Sequence, residues 1–262
     1  MRYAVRETLM GSDLSLEEKS RYAAELGFDG IELIPKEGAG FHGMMALDSA
    51  GRKELLGLRE EYSVEINSLS LAVYRETSCL TTDASEWQAG RQTLLQAIEA
   101  ATELGCQGIL LHHFGPMEPE LDDPRLEPDM RGIREVISES GDAELLMCVE
   151  CTVDLPMMQA TVETADRPQV GICYDMGNLK SAGHDPGAMI RALGTRGVKM
   201  VHAKEAGADL LGEGDVDLQD VAAALHEIGY DSWMIFETAP TADPMAAITR
   251  NLQVARAVFD DE

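Results

Sequence analysis

Basic residues are what this chain has least of for its size: 21 lysines and arginines stand against 47 aspartates and glutamates, a formal net charge of −26 over 262 residues. Lysine occurs only at Lys19, Lys36, Lys53, Lys180, Lys199 and Lys204. Nucleic acid and anionic membranes are thereby disfavoured as partners, because the proteins that bind them normally present a basic face. The surplus acid suits the solvated surface of a protein from a high-salt cytoplasm, and equally an ordinary acidic enzyme. Long apolar runs are missing too: none approaches the roughly 18 residues a membrane span requires. The opening MRYAVRETLM is interrupted by Arg6 and Glu7, so it reads as a short strand rather than a signal peptide, and a cytoplasmic protein is expected. Cysteines are few and odd in number. Cys79, Cys106, Cys148, Cys151 and Cys173 lie mostly in or beside apolar runs, where a free thiol behaves as a small hydrophobe. CVEC (148–151) has redox spacing, but strand alternation turns Cys148 and Cys151 to opposite faces.

No Pro/Gly/Ser-rich linker divides the chain, which favours one domain over residues 1–262, although the acidic, Pro-rich stretch 115–129 is long enough for a lid or an edge excursion. What is present is alternation. Strands are expected at RYAVRE (2–7), GIELI (30–34), VEINSLSLA (64–72), GILLHHF (108–114), AELLMCVE (143–150), QVGICYDM (169–176), VKMVHA (198–203) and SWMIFET (232–238). Between them lie helix patterns: a capping box of Ser15 and Glu18 opens the first, which Gly27 stops. Further helices fit 52–62, 86–105, 127–140, 154–165, 185–194, 217–229 and 243–259. Strand then helix, eight times, predicts an α/β fold, a single (β/α)8 TIM barrel of typical length, about 250 residues. An open doubly wound sheet is the other solution, and it lacks the G-x-G-x-x-G after the first strand that would support it.

Four apolar runs end in a ligand-type residue: LLMCVE in Glu150, VGICYD in Asp175, VKMVH in His202 and WMIFE in Glu237. A barrel gathers its strand ends on one face, so the four can meet at one ion. Counting back by two puts Cys148 and Leu146, Cys173 and Gly171, Met200 and Val198, and Ile235 and Trp233 in the barrel interior. Val149, Tyr174, Val201 and Phe236 then face the helix layer. Three carboxylates at an interior mouth require a cation or tight pairing. Three oxygen donors and an imidazole suit one divalent metal, Mn²⁺ or Mg²⁺ first, with Co²⁺ or Zn²⁺ compatible.

Beyond these residues, LGFDGIEL (26–33), AATELGCQGILLHH (100–113), YDMGN (174–178), VKMVHAKE (198–205), LGEGDVDLQDV (211–221) and GYDSWMIFET (229–238) occur in order along nearly the whole chain. In these segments the chain resembles the xylose-isomerase-like barrels, specifically the sugar and sugar-phosphate isomerase/epimerase group, which is related to the apurinic-site endonuclease family. The resemblance implies a metal held by Glu150, Asp175, His202 and Glu237, with Glu150 and Glu237 also the catalytic acid and base. The implied reaction is ketose 3-epimerase-like: proton removal next to a carbonyl, an enediolate, and proton return. The implied partner is a small-molecule sugar or sugar phosphate, and a homo-oligomer is allowed.

His113, Lys204, Asn178, Glu32 and His184 are the expected substrate-binding positions. Lys204 shares the face of His202 and can hold a substrate oxygen or form a rim salt bridge with Glu205 or another neighbour. Glu32, closing the second strand, can orient His or Lys groups; of His112 and His113 only one can face the pocket, and His113 is nearer the mouth. His184 is a pocket wall or a loop residue. Two departures from the family pattern matter: Asn178 stands where free-ketose 3-epimerases carry His, closer to the pentulose-phosphate branch, and Cys151 stands where many relatives have Asn. Lys36, Arg75 and Lys180 can supply positive charge at the mouth, while Asp217 with Asp220 reads as a helix cap. An inosose dehydratase and a hydroxypyruvate isomerase share the first chemical step. A metal phosphodiesterase of the endonuclease type would need a histidine-rich multi-metal cluster and a basic groove, against six histidines and −26. A sugar- or metal-binding barrel without turnover is the remaining reading.

Overall fold

The computed structural model describes residues 1–35, 48–141, 144–239 and 241–260. Eight short strands pair in parallel and in sequence order, and the eighth returns to the first, closing a barrel. They are β1 (Arg2–Arg6), β2 (Gly30–Leu33), β3 (Glu65–Leu71), β4 (Gly108–His112), β5 (Leu146–Glu150), β6 (Val170–Asp175), β7 (Val198–Ala203) and β8 (Trp233–Phe236). Outside them lie α1 (Leu16–Leu26), α2 (Ser49–Tyr62), α3 (Ala84–Leu104), α4 (Leu126–Ser140), α5 (Leu155–Ala165), α6 (Met176–Ser181), α7 (Pro186–Gly197), α8 (Leu218–Glu227) and α9 (Pro244–Phe259). The fold is the (β/α)8 barrel that the alternation predicts.

Part of the acid serves as helix caps. Ser15 and Glu18 form the expected capping box of α1, and Gly27 ends that helix with φ 87. Asp48, Asp83, Asp154, Asp175, Asp185, Asp217 and Asp243 each accept a backbone N–H at the start of a helix. Each such cap contributes typically about 1 kcal/mol. Asp48 starts α2 three residues before the expected helix at 52–62. Asp175 starts α6, a short helix straight after β6 that the apolar pattern does not announce.

The two sides of each strand pack into separate cores. Val149, Tyr174, Val201 and Phe236 join the large cluster between strands and helices. Ala4, Leu110, Cys148, Cys173, Met200, Trp233 and Ile235 fill the barrel, with Leu146 against them. Val198 departs from the expected parity and packs with the outer cluster, because the β6–β7 register shifts just beyond its pairing with Ile172. All five cysteines are free and buried.

Glu7 does not extend β1 as expected; it is buried in the turn Glu7–Met10, ion-paired with Lys19 and accepting the Ile34 N–H. Residues 115–129 begin with a tight turn at Gly115–Met117 and already enter α4 at Leu126. Glu118 fastens the stretch to the end of β5, accepting the Thr152 N–H at 2.6 Å. Among the described residues no helix is long and apolar enough to cross a membrane.

Candidate active site

The carboxyl ends of the strands open into a cavity of about 690 Å³ whose lining includes Arg6, Ser70, His112, Glu150, Lys204 and Glu237. Glu150 and Asp175 are the last residues of β5 and β6, His202 lies one residue before the end of β7, and Glu237 directly follows β8, its N–H bonded to Ala203 O. One donor atom from each of the four lies within 4.8 Å of the others. Asn178 steadies two of the donors and Arg6 a third. Asp175 commits Oδ1 to the Asn178 N–H at the head of α6, leaving Oδ2 toward the cluster. Glu150 Oε1 accepts from Asn178 Nδ2 at 3.3 Å. Glu237 Oε1 is ion-paired with Arg6, and its Oε2 lies 2.7 Å from His202 Nδ1 without forming a hydrogen bond.

These atoms fit a bound cation. Glu150 Oε2, Asp175 Oδ2, His202 Nδ1 and Glu237 Oε2 are all buried without a hydrogen-bond partner. Such groups are costly to bury unless something else satisfies them. Charge points the same way. Four carboxylates, Glu32, Glu150, Asp175 and Glu237, face two permanent cations, Arg6 and Lys204, and one divalent ion would neutralise the remainder. Without that ion, burial and the neighbouring Glu150 charge push the Asp175 carboxyl up to about 7.

Beneath the cluster is a second polar layer. Glu32 is fully buried; burial opposes its charge, yet Arg6 and His202 bring its carboxyl down to about 2. It accepts from Arg6 Nε at 2.7 Å and from the Ser68 hydroxyl at 2.9 Å, and lies 3.5 Å from His202 Nε2. Burial also disfavours the Glu237 charge, but Arg6, His202 and Lys204 outweigh it and hold that carboxyl well below the usual range. Arg6 Nη2 donates to Ser70 Oγ, which meets His112 Nε2 at 2.9 Å, and His112 Nδ1 lies 3.4 Å from Glu150 Oε2. A continuous polar path therefore joins the two glutamates through His112, Ser70 and Arg6. Burial pulls the His112 ring down to about 4, so it is neutral near neutral pH.

Of the substrate-binding positions expected from sequence, Lys204 and Asn178 line the cavity, and Lys204 Nζ lies 3.6 Å from both Asp175 and Glu237. Glu32 sits under the cluster and supports Arg6 and His202. His113 corrects the expectation: alternation continues from Leu110 through His112, which pairs across to Glu150, so His113 points outward against Tyr74 and Asp129. His184 stands behind the wall, its Nε2 3.1 Å from the carbonyl of Thr152, which itself lines the cavity. Glu205 is not a rim partner of Lys204; it accepts the N–H groups of Ala206, Gly212 and Val216 and shapes the loop after β7. Asp217 caps α8 by accepting the Asp220 N–H, as expected, and the Asp220 side chain pairs in addition with Arg191. Arg75 reaches the cavity, Lys180 is not among its lining, and Lys36 lies outside the described residues. Arg6, Ser70 and His112 are the site residues that strand-end reasoning missed or ranked second. Their signal was parity: Arg6 follows inward Ala4 by two, and His112 follows inward Leu110 by two.

Comparison with known proteins agrees with this architecture. L-ribulose-5-phosphate 3-epimerase UlaE of Shigella flexneri serotype 5b (strain 8401) is 23% identical over 246 residues, covering 89% of this chain and 86% of its own. The ketose 3-epimerase of Arthrobacter globiformis is 23% identical over 203 residues, covering 71% and 70%. Among solved structures, D-psicose 3-epimerase with D-tagatose from Clostridium cellulolyticum H10 superposes with a TM-score of 0.83 at 14% identity over the full length of both chains. The family described as xylose isomerase-like TIM barrel matches residues 20–258, and the chain belongs to that family.

Proposed function

We propose that this chain is a divalent-metal-dependent sugar or sugar-phosphate isomerase/epimerase of the ketose 3-epimerase kind, with Glu150 and Glu237 as its acid and base. The observation that carries this reading is that both glutamates belong to the four-donor cluster and both line the same cavity, from strands on different sides of the barrel. A divalent ion held by Glu150, Asp175, His202 and Glu237, Mn²⁺ or Mg²⁺ by donor chemistry, would supply Lewis-acid polarisation of a ketose carbonyl and its neighbouring hydroxyl.

The chain's own residues do the rest. One glutamate takes the C–H proton next to the carbonyl, leaving an enediolate, and the other returns a proton from the opposite face, inverting that carbon. Return to the neighbouring carbon instead isomerises the sugar. Asn178 holds Glu150 in place, Arg6 holds Glu237, and Lys204 offers its ammonium to substrate oxygen charge. The relatives named for ribulose-phosphate and ketose 3-epimerase activities support the same class. The endonuclease alternative is weakened by the single four-residue cluster among the described residues and by the net charge.

The test is solvent deuterium incorporation next to the carbonyl of ketoses, ketose phosphates, inososes and hydroxypyruvate, using Mn²⁺-loaded protein. Glu150→Gln and Glu237→Gln should each lower exchange by about 10²-fold or more. A variant within about tenfold of wild type would falsify its acid–base role. A barrel that only binds sugar exchanges nothing.

A further inference from the structure

We propose that Arg75 is the anchor for a terminal phosphate, so that the ketose taken by this site is a phosphate ester; this rests on the ketose reading above and narrows it. In this acidic chain the arginines are spoken for. Every other one has a carboxylate or carbonyl partner, as in Arg2–Glu65, Arg52–Glu103, Arg191–Glu227 and Arg256 with the Gly27 carbonyl. Among the described residues Arg75 has no such acceptor. Its guanidinium lies 5.1 Å from the Phe114 ring centroid, and both residues line the active-site cavity. The other two cations of that lining stand at the reacting centre, Arg6 paired with Glu32 and Glu237 and Lys204 3.6 Å from Asp175 and Glu237, which leaves Arg75 as the cation placed away from the four-donor cluster.

Arg75 is exposed at the cavity rim, and it is the turn carrying it that is anchored. It ends the tight turn Ala72–Arg75, which directly follows β3 and its cavity-lining Ser70. The preceding residue, Tyr74, is fully buried; its hydroxyl donates to Asp129 at 2.7 Å and accepts the Cys79 N–H at 3.0 Å. His113 stacks on the Tyr74 ring and lies 3.3 Å from Asp129. This buried polar group, which the proton-transfer chemistry does not use, pins the turn that carries Arg75. Contact with an aromatic ring uses none of the guanidinium's N–H donors, and a guanidinium with free donors can take two phosphate oxygens at once. A dianion approaching a protein of net charge −26 is repelled at long range, so a local fixed cation is what would let it dock.

The experiment compares a ketopentose 5-phosphate with the same ketopentose unphosphorylated, on Mn²⁺-loaded wild type, Arg75→Gln and Arg75→Lys. Deuterium exchange gives kcat and KM, and calorimetry gives the affinity for the phosphorylated ketose. Wild type should prefer the phosphate ester. Arg75→Gln should raise its KM by about 10- to 100-fold, the loss of charge-assisted hydrogen bonds, so that the preference collapses by that factor. Arg75→Lys should keep part of it. A preference unchanged in Arg75→Gln, a parallel loss on both substrates, or a wild type that favours the unphosphorylated sugar would each overturn the assignment. Should neither ketose exchange on wild type, the reaction class fails, and calorimetry still decides Arg75: affinity weakened about 10- to 100-fold in Arg75→Gln upholds the anchor, and equal affinity removes it.

Discussion

Arg6→Met should destabilise this barrel more than its position in the first strand suggests. The substitution keeps most of the side-chain volume and deletes the charge that faces Glu32 at 2.7 Å and also pairs with Glu237. Glu32 is fully buried, and its carboxyl stands at about 2 rather than 4.5. At about 1.4 kcal/mol per unit, that difference corresponds to about 3 kcal/mol, comparable with the roughly 3–5 kcal/mol typical of breaking a buried ion pair from one side. Urea denaturation of wild type, Arg6→Met, Glu32→Gln and the double variant at neutral pH measures it. Arg6→Met should lose about 3 kcal/mol or more, and the double variant should lose clearly less than the sum. The pH dependence carries an opposite sign in the two proteins. In wild type the Glu32 carboxyl is depressed, so its contribution is complete above 4.5 and is lost as pH falls from there through about 2. In Arg6→Met, burial without the guanidinium raises that carboxyl, so stability improves as pH falls through the raised value. A cost below about 1 kcal/mol, the scale of an exposed pair, or an unchanged acid profile would refute the reasoning.

Three further outcomes are expected. Asp175, raised to about 7, costs stability while ionised, and the cost is relieved as pH falls through that value; metal-free protein should therefore melt higher at pH 6 than at pH 8, while Mn²⁺ should stabilise most at pH 8, and a melting temperature indifferent to Mn²⁺ would contradict the cation site. Gly177→Ala puts a Cβ 2.7 Å from the Glu205 carbonyl oxygen and 2.8 Å from the Lys204 carbonyl carbon, so α6 must shift from β7; a stability loss of about 1–3 kcal/mol, read by denaturation, should accompany slower exchange. Glu205→Gln replaces an anion that accepts three backbone N–H groups, so it should cost about 2 kcal/mol or more and speed proteolysis within residues 206–216, while a midpoint equal to wild type would show that the loop does not depend on it.

What could be read before the structure was whatever period-two alternation carries. Glu150, Asp175, His202 and Glu237 close apolar runs, and the interior residues behind them, such as Cys148, Cys173 and Met200, follow by counting back. The same rule applied from Leu110 selects His112; nearness to the mouth selected His113, and the backbone alternation prevailed. Val198 escaped the count because the strand pairing slips beside it, an irregularity that side-chain pattern does not encode. Arg6 only interrupts an apolar run in the sequence, since its partners Glu32 and Glu237 are 26 and 231 positions away and nothing local ties them together. Glu205 and Asp175 show another limit: a carboxylate that organises backbone N–H groups looks, in sequence, like any other acid.

The five buried thiols provide an intrinsic set of timers. Burial raises each one's pKa, Cys79, Cys151 and Cys173 to about 12, so none is reactive in the closed fold. Cys148 and Cys173 sit in the barrel interior, Cys79 beside the Tyr74 anchor, Cys106 at the approach to β4 and Cys151 just beyond β5. Alkylation followed by peptide mass analysis would time the opening of each layer separately, since a shielded thiol reacts only when its surroundings part. If the turn carrying Arg75 breathes independently of the barrel, Cys79 will label ahead of Cys148 and Cys173, and a sugar phosphate that clamps that turn will slow Cys79 alone.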